Sequence, residues 1–261
     1  IGTDGCVSLA NLIRRNQVLS HMNLAMCGIT AEGCKSLGYA LPYNTSLTYL
    51  DLTANRFGSP GSDALFANDN AFGCLTTLIL SRNALDDEAS AAICKQIEQS
   101  KTIKNITLSF NNLGKIFLNS LYDALLNGES SLESLNLSSN NFDKDDIKLL
   151  HLIVRDFTIK QFDFSHNTLS TKVIQDLVLA SEKNEELTSL DLTDTNINDD
   201  GAKSLATMIT NHKKLQKLIL AQNKITDIGG VDIAKAIEHN ESLSILSLSD
   251  NELKDKSAEV I

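Results

Sequence analysis

Aliphatic residues recur along this chain at a nearly constant interval. The pattern L-x-x-L-x-L-x-x-N, with Ile, Phe or Met replacing Leu at some positions, occurs nine times, and successive copies start 27 to 29 residues apart. The copies begin at Leu19, Leu47, Leu75, Ile103, Leu132, Ile159, Leu187, Leu215 and Leu243. In each copy two apolar residues stand two positions apart, a spacing that places both on one face of a strand. The pattern therefore predicts nine short strands, each followed by a turn.

A second periodic signal predicts a helix after each strand. An apolar residue stands 18 positions after every repeat start, from Leu37 to Ile261, and most repeats carry another one four residues later. A spacing of four keeps both residues on one helical stripe. Asp69 and Ser181 interrupt this stripe. We therefore expect the helix that precedes residues 68–70 to end early.

A strand, a turn and a helix that repeat about every 28 residues are typical of a leucine-rich repeat solenoid. Parallel strands lie about 4.8 Å apart, whereas packed helices need roughly 10 Å, so such a stack must bend. We predict an α/β curved horseshoe with a parallel concave sheet and convex helices. We expect residues 1–261 to be a single domain of nine strand-bearing repeats plus partial terminal units. Because the periodicity continues to both ends, we also expect a fragment of a longer protein.

The last position of the motif is asparagine in seven of the nine copies, and Cys27 and Thr195 fill it in the other two. The turn that leaves each strand directs backbone N–H and C=O groups inward. A buried amide side chain carries both donors and an acceptor, so it can satisfy both kinds of group. We predict a ladder of buried asparagines that links neighbouring repeats.

Charge narrows the class of partner. The chain has 33 Asp and Glu against 23 Lys and Arg, a net charge of −10. This balance disfavours nucleic acid, whose phosphates need clustered Lys and Arg, and it also disfavours an anionic membrane surface. No apolar run approaches the roughly 18 residues of a membrane span, so we expect no membrane insertion. Another protein, basic or of mixed charge, is a compatible partner.

Cysteine usage and the absence of enzyme motifs bear on compartment and chemistry. The five cysteines include no C-x-x-C pair, which favours free thiols and predicts a cytoplasmic protein. The sequence contains no H-E-x-x-H, G-x-x-x-x-G-K-[ST] or G-x-S-x-G motif, and its five histidines lack metal-ligand spacing. We therefore predict that the chain is not an enzyme and needs no cofactor or metal.

The third, fifth and seventh positions of each motif should face outward on the concave side, and most of them are small and polar. One group differs because it combines aromatic, aliphatic and arginine side chains from consecutive repeats, within roughly 10–15 Å at the strand spacing. It contains Tyr49, Ile79, Arg82 and Phe110, with Arg56 at the rim. Aromatic and Arg side chains are typical of interface hot spots, so this group is our first candidate protein-binding site. The alternative is that these are unrelated surface residues.

A second candidate is acidic. Asp163 and Asp191 occupy one strand position in adjacent repeats, so their backbones should lie roughly 5 Å apart, with Asp194 and His166 nearby. Such a group is compatible with a solvated acidic patch, with a site for a basic partner, or with paired-carboxylate catalysis. An open sheet offers no cleft that would hold a substrate, which disfavours catalysis.

The 28-residue unit with a full helix, a glycine near the helix start and Asn or Cys in the turn resembles the ribonuclease-inhibitor-like class of leucine-rich repeats. The glycines are Gly5, Gly33, Gly61, Gly201 and Gly229. The resemblance implies an intracellular protein-binding surface, and we expect a protein-interaction scaffold. It leaves two alternatives: a GTPase-activating protein resembling the Ran activator, or the ligand-sensing repeat domain of an NOD-like receptor.

Overall fold

A computed structural model describes residues 1–142, 150–157 and 159–255. Two compact units divide the chain, Ile1–Asn141 and Phe142–Ile261, and are called the first and second unit below. Each unit is built from parallel strands that alternate with helices, as the periodicity predicts. The α/β leucine-rich repeat architecture is thus confirmed in each unit, whereas the single domain stays a prediction.

Five strands of the first unit pair in chain order, and every pair is parallel. They are β1 (His21–Asn23), β2 (Tyr49–Asp51), β3 (Thr77–Ile79), β4 (Asn105–Thr107) and β5 (Ser134–Asn136). Each starts two residues after a predicted repeat start. His21 therefore lies beside Tyr49, and Tyr49 beside Thr77. The leucine pattern thus fixes both the strand positions and their register.

Helices return the chain between these strands. They are α1 (Gly2–Arg15), α2 (Ala31–Ala40), α3 (Gly58–Leu65), α4 (Ser90–Gln99) and α5 (Lys115–Asn127). The expected early end of α3 is confirmed, since this helix has only eight residues. Phe66 and Phe72 are buried just beyond it and pack edge to face, with ring centroids 5.4 Å apart. These two rings supply the apolar contact that Asp69 does not make.

The second unit repeats the arrangement. Its strands are β6 (Gln161–Asp163), β7 (Ser189–Asp191), β8 (Lys217–Ile219) and β9 (Ile245–Ser247), each parallel to the next. Its helices are α6 (Leu150–Asp156), α7 (Thr171–Ser181), α8 (Asp199–Asn211) and α9 (Asp227–Glu238). Side chains of Ser170, Asn198 and Thr226 cap the last three by accepting a backbone N–H. Such caps satisfy donors that the first helical turn leaves unpaired.

Close packing explains two of the repeated glycines. A Cβ atom on Gly61 would lie 2.5 Å from Cβ of Phe57, and one on Gly229 would lie 2.7 Å from Cβ of Ala202. Both glycines stand near a helix start, where the chain has just left the turn. A side chain at Gly61 would collide with Phe57, which precedes the same helix, and one at Gly229 would push α9 away from α8, so both positions favour glycine.

The predicted asparagine ladder is confirmed. Oδ1 of Asn55 accepts the backbone N–H groups of Cys27 and Ile29, each at 3.0 Å, while its amide nitrogen donates to the carbonyls of Leu24 and Leu52. Asn83, Asn111 and Asn223 repeat this arrangement with their own neighbours. Each amide thus connects one turn to the preceding repeat. Since these bonds lie inside the stack, their loss leaves backbone groups unpaired.

A second row of polar side chains lies where the chain enters the strands. Oδ1 of Asn44 accepts the N–H groups of Ser46 and Leu47, and its amide donates to the carbonyl of Ile13. The corresponding residue in β8's repeat is His212. The residues of this row stand three positions before a repeat start: Asn16, Asn44, Ser100, Asn184, His212 and Asn240. The periodic leucine pattern does not predict this row.

Candidate functional site

The eighth motif position forms a row of side chains at the carboxyl ends of the strands, called the turn row below. Its nine residues are Met26, Ala54, Arg82, Phe110, Ser139, His166, Asp194, Gln222 and Asp250. All of them have a positive φ, between 51° and 58°. This conformation is unfavourable for residues with a Cβ atom. The turn therefore imposes it on these residues. Seven of the nine side chains are exposed, so the row is an accessible edge in each unit.

Two neighbours in the turn row of the first unit form a cation–π pair. The guanidinium carbon of Arg82 lies 3.8 Å from the ring centroid of Phe110. Both side chains are exposed. A pair of this kind contributes about 0.5–1 kcal/mol at an exposed site. The stacking therefore restricts the positions that the Arg82 guanidinium can adopt.

Arg56 joins this pair. Its backbone N–H is held by Oδ1 of Asn83 at 3.0 Å, which fixes the turn that presents its side chain. Arg56, Arg82 and Phe110, together with Ala84, Asn111, Asn112 and Ser139, line a shallow pocket of about 380 Å³. We call these seven residues the arginine pocket. Three of the five residues in the first candidate site thus come together.

The other two residues of that candidate lie away from the pocket lining. Tyr49 is the first residue of β2, and its ring stacks on that of His21 with centroids 5.4 Å apart. Ile79 is the last residue of β3, where it lies beside Asp51 in β2 and Thr107 in β4. Both residues lie on the strand face, but each contacts different neighbours. The spacing of the strands alone does not predict which neighbours each side chain contacts.

The expectation that every seventh motif position is exposed is wrong. Ser81, Ser109, Ser138 and Ser165 are each less than 9% exposed. Their small hydroxyl groups bond to neighbours at the end of the strand: Oγ of Ser81 lies 2.8 Å from Oγ of Ser109, for example. In these four repeats the seventh position therefore adds little accessible surface, whereas most residues of the third and fifth positions and of the turn row remain at least partly accessible.

The strand aspartates of the acidic candidate have a local structural task. Asp163 and Asp191 are direct neighbours in the β6–β7 register. Oδ1 of Asp163 accepts the N–H of Ser165 at 3.0 Å, and Oδ1 of Asp191 accepts the N–H of Thr193 at 3.0 Å and its hydroxyl at 2.7 Å. This D-x-S/T cap at the strand end was visible in the sequence as a repeated pair.

Asp194 lies in the turn row instead. One of its carboxylate oxygens is 3.2 Å from Nδ1 of His166, the preceding residue of that row. The acidic candidate thus consists of two capping aspartates on the strand face and one exposed aspartate at the turn.

Burial raises the pKa of Asp163. The bonds from the backbone and hydroxyl of Ser165 lower this pKa, whereas the neighbouring Asp191 raises it further. A raised folded-state pKa means that the folded chain holds this proton at a pH where the unfolded chain has lost it. Asp163 therefore lowers stability at neutral pH, and this penalty disappears as the pH falls through the folded-state pKa.

Asp163→Asn is expected to stabilise the second unit at pH 7 by about 0.2–1 kcal/mol, the size of a like-charge cross-strand effect. The cap should survive, because Asn136 makes the same bond to the N–H of Ser138 at 2.9 Å. Urea unfolding at several pH values measures the difference, which should close below the ordinary Asp value of 3.8. Asp63→Asn, at an exposed position on α3, is the control. An unchanged difference from pH 7 to pH 3 would contradict this account of Asp163.

The interruption of the helical stripe at Ser181 coincides with a cavity. A partly enclosed pocket of about 470 Å³ is lined by Ser181 and Met208 and bordered by Glu182 and Lys213. The hydroxyl of Ser181 donates to the carbonyl of Val178 at 2.7 Å, so the serine is satisfied within its own helix. Most other repeats carry a larger aliphatic side chain at this position, such as Leu41, Ile97 or Ile209. We assign this cavity no ligand.

A profile described as "Leucine Rich repeat" matches seven segments: 15–38, 43–66, 74–94, 129–150, 183–206, 211–234 and 239–261. Two solved structures share the fold, each with a TM-score of 0.54: a TLR13–ssRNA13 complex, at 18% identity over 97% of this chain and 32% of that one, and an internalin from Listeria monocytogenes, at 19% over 96% and 66%. In the described ranges no helix has the length and apolar character needed to cross a membrane.

Relatives confirm the resemblance to ribonuclease-inhibitor-like repeats. Mouse ribonuclease inhibitor is 27% identical over 194 residues, which are 73% of this chain and 42% of the inhibitor. Human NACHT, LRR and PYD domains-containing protein 5 is 28% identical over 205 residues, 77% of this chain and 15% of that protein. This chain therefore spans less than half the length of either relative. The profile covers more than half of this chain, which belongs to the leucine-rich repeat family.

Proposed function

We propose that this chain is a non-enzymatic scaffold that binds another protein through its strand face, which the sequence predicts to be concave, and through the adjoining turn row. The arginine pocket carries this proposal. Family membership supports it as well, because leucine-rich repeat proteins commonly present their strand side to protein partners. That the partner is a protein, and that neither cofactor nor catalysis is involved, are parts of the proposal.

The arginine pocket has the composition of a binding hot spot. Aromatic and Arg side chains account for much of the energy at protein interfaces, particularly where they are already ordered before binding. Arg82 is ordered by its stacking on Phe110. Most other outward positions carry small polar side chains, which contribute less. A partner that covers the strand face therefore gains most from this pocket.

Variant capture tests the proposal. The purified chain and its Arg82→Ala/Phe110→Ala variant are used to capture partners, which are then identified by mass spectrometry. A partner of the pocket should bind the variant roughly 30-fold more weakly, the loss expected for about 2 kcal/mol at a hot spot. The matched control is Leu126→Ala/Ile116→Ala, which removes two exposed apolar side chains from α5. Equal loss with the control variant would show that the pocket is not the contact.

A second candidate is the repeat domain of a receptor with a nucleotide-binding domain. The match to the NACHT, LRR and PYD domains-containing protein favours it. The complete open reading frame decides this point, since a nucleotide-binding domain should precede the repeats. The alternative of a GTPase activator stays a prediction. A single-turnover GTP hydrolysis assay with small GTPases tests it. If the chain does not accelerate hydrolysis, the scaffold remains the proposed function.

We also propose a cytoplasmic location. All five cysteines are free. Burial raises the pKa of Cys34 to about 12, and it raises the pKa of Cys94 as well. Such thiols hold little thiolate and pack as small apolar groups, which suits a reducing compartment.

A further inference from the structure

The arginine pocket holds cationic groups that are unpaired. Within residues 1–142, 150–157 and 159–255, neither Arg56 nor Arg82 forms an ion pair. The chain has five arginines, and two of them line this one pocket. Arg155, by contrast, pairs with Asp156, and Arg14 stacks on Tyr43. The pocket thus concentrates positive charge that the described residues do not neutralise.

We infer that the arginine pocket receives a carboxylate from an acidic segment of the partner protein, an inference that rests on the proposed function. A partner that covers the pocket removes water from both guanidinium groups. An uncompensated buried charge is unfavourable, so the partner must supply an anion there. A basic contact at this point would add repulsion. The local charge of the pocket therefore favours an acidic contact, although the net charge of −10 on the whole chain favours a basic or mixed-charge partner.

The geometry of Arg82 suits a carboxylate. Phe110 covers one face of the guanidinium, while the N–H groups lie in the guanidinium plane and point away from its edge. A carboxylate can accept two of these N–H groups in a parallel, bidentate arrangement. Arg56 and the exposed amide of Asn112 line the same pocket and can supply further donors. The exposed part of the Phe110 ring can pack against an apolar residue next to the acidic one.

Charge distribution limits how acidic the partner segment is. The first unit has nine Lys and Arg against twelve Asp and Glu, a net charge of −3, and the second has fourteen against twenty-one, a net charge of −7. A polyanion such as RNA would be repelled over most of this surface. The shallow pocket of about 380 Å³ accommodates one or two side chains. The fitting ligand is therefore a peptide segment with one or two carboxylates beside an apolar residue.

Selection from a random peptide library displayed on phage tests the inference with the purified full chain. Counter-selection against Arg56→Gln/Arg82→Gln enriches peptides that need the pocket. We expect these peptides to contain Asp or Glu next to an apolar residue. Replacing that acidic residue by its amide should weaken binding by about tenfold or more, as for the loss of a charge-assisted pair. Fluorescence anisotropy of labelled peptides measures this change.

Control variants separate the outcomes. Arg15→Gln/Lys35→Gln removes two exposed cations of the same unit outside the pocket, and it should leave peptide affinity nearly unchanged. If selected peptides need Phe110 but lose nothing when their carboxylate becomes an amide, the proposed scaffold stands and the acidic ligand is wrong. If peptides bind every variant alike, or none depends on the pocket, both are wrong. Tighter binding of a labelled single-stranded oligonucleotide than of any acidic peptide would also overturn the inference.

Discussion

Leu108→Asp is expected to abolish cooperative folding around the fourth repeat. Leu108 is fully buried, and its carbonyl accepts the amides of both Asn111 and Asn140. Truncating such a core leucine costs about 2–5 kcal/mol, and a buried unpaired carboxylate adds to that. Because repeats stabilise one another through their neighbours, the loss should spread to adjacent repeats. Thermal unfolding followed by circular dichroism measures it.

Leu126→Asp is the matched control for this substitution. Leu126 lies on α5 and is 59% exposed, so the same chemical change there meets water. We expect its melting curve to stay close to that of the wild type. A wild-type melting curve for Leu108→Asp would mean that the leucine register assigned here is wrong.

Asn83→Ala is expected to cost about 3 kcal/mol or more, because it removes one rung of the ladder. Oδ1 of Asn83 accepts the N–H groups of Asn55 and Arg56, at 2.9 and 3.0 Å, and its amide donates to the carbonyl of Leu52 at 3.0 Å. The two N–H groups would lose their acceptor inside the stack, while the Leu52 carbonyl would keep only the bond from the amide of Asn55. Chemical denaturation measures the free energy of unfolding.

Two further variants serve as controls for Asn83→Ala. Asn119→Ala removes an exposed amide from α5 and should change stability by only a few tenths of a kcal/mol. Asn83→Thr should recover part of the loss, since Thr195 fills a ladder position in this chain and donates to the carbonyl of Leu192 at 2.7 Å. A loss of less than about 1 kcal/mol for Asn83→Ala would argue against a structural ladder.

Periodicity predicted the repeat fold well, since each strand and each buried asparagine occupies a fixed position in the sequence repeat. The alternation around Leu50 and Leu52 places both in the core, and both are at most 1% exposed. Asn55 and Asn83 likewise hold the bonds expected of them. A repeat imposes the same local geometry on each copy, so one correctly interpreted copy describes the others.

The sequence was less informative where backbone conformation decides the outcome. Arg82 and Phe110 have positive φ without being glycine, so no residue type signals the turn row. The pairing of Tyr49 with His21 depends on side-chain orientation, which strand spacing does not specify. His212 takes the place of an asparagine in the second row of polar side chains, where it accepts the N–H of Leu215 at 3.0 Å. Because histidine and asparagine differ in chemistry, the sequence does not reveal this row as a repeated position.

The candidate site was partly predictable for the same reason. Residue type identified Arg56, Arg82 and Phe110 as candidate hot-spot residues, and the turn geometry brings them into one pocket. Asp163 and Asp191 were also correctly placed side by side. Their bonds to Ser165 and Thr193 give them a role in ending the strands, which an unusual charge pair alone does not reveal.

The affinity of one purified partner protein for the wild type and for Arg82→Ala/Phe110→Ala measures whether the arginine pocket is the binding site. We expect binding to be roughly 30-fold weaker for the variant. We also expect unchanged melting, since both side chains are exposed at the turn row. Equal affinity of the two proteins for every partner that the chain captures would contradict the claim that the arginine pocket is its binding site.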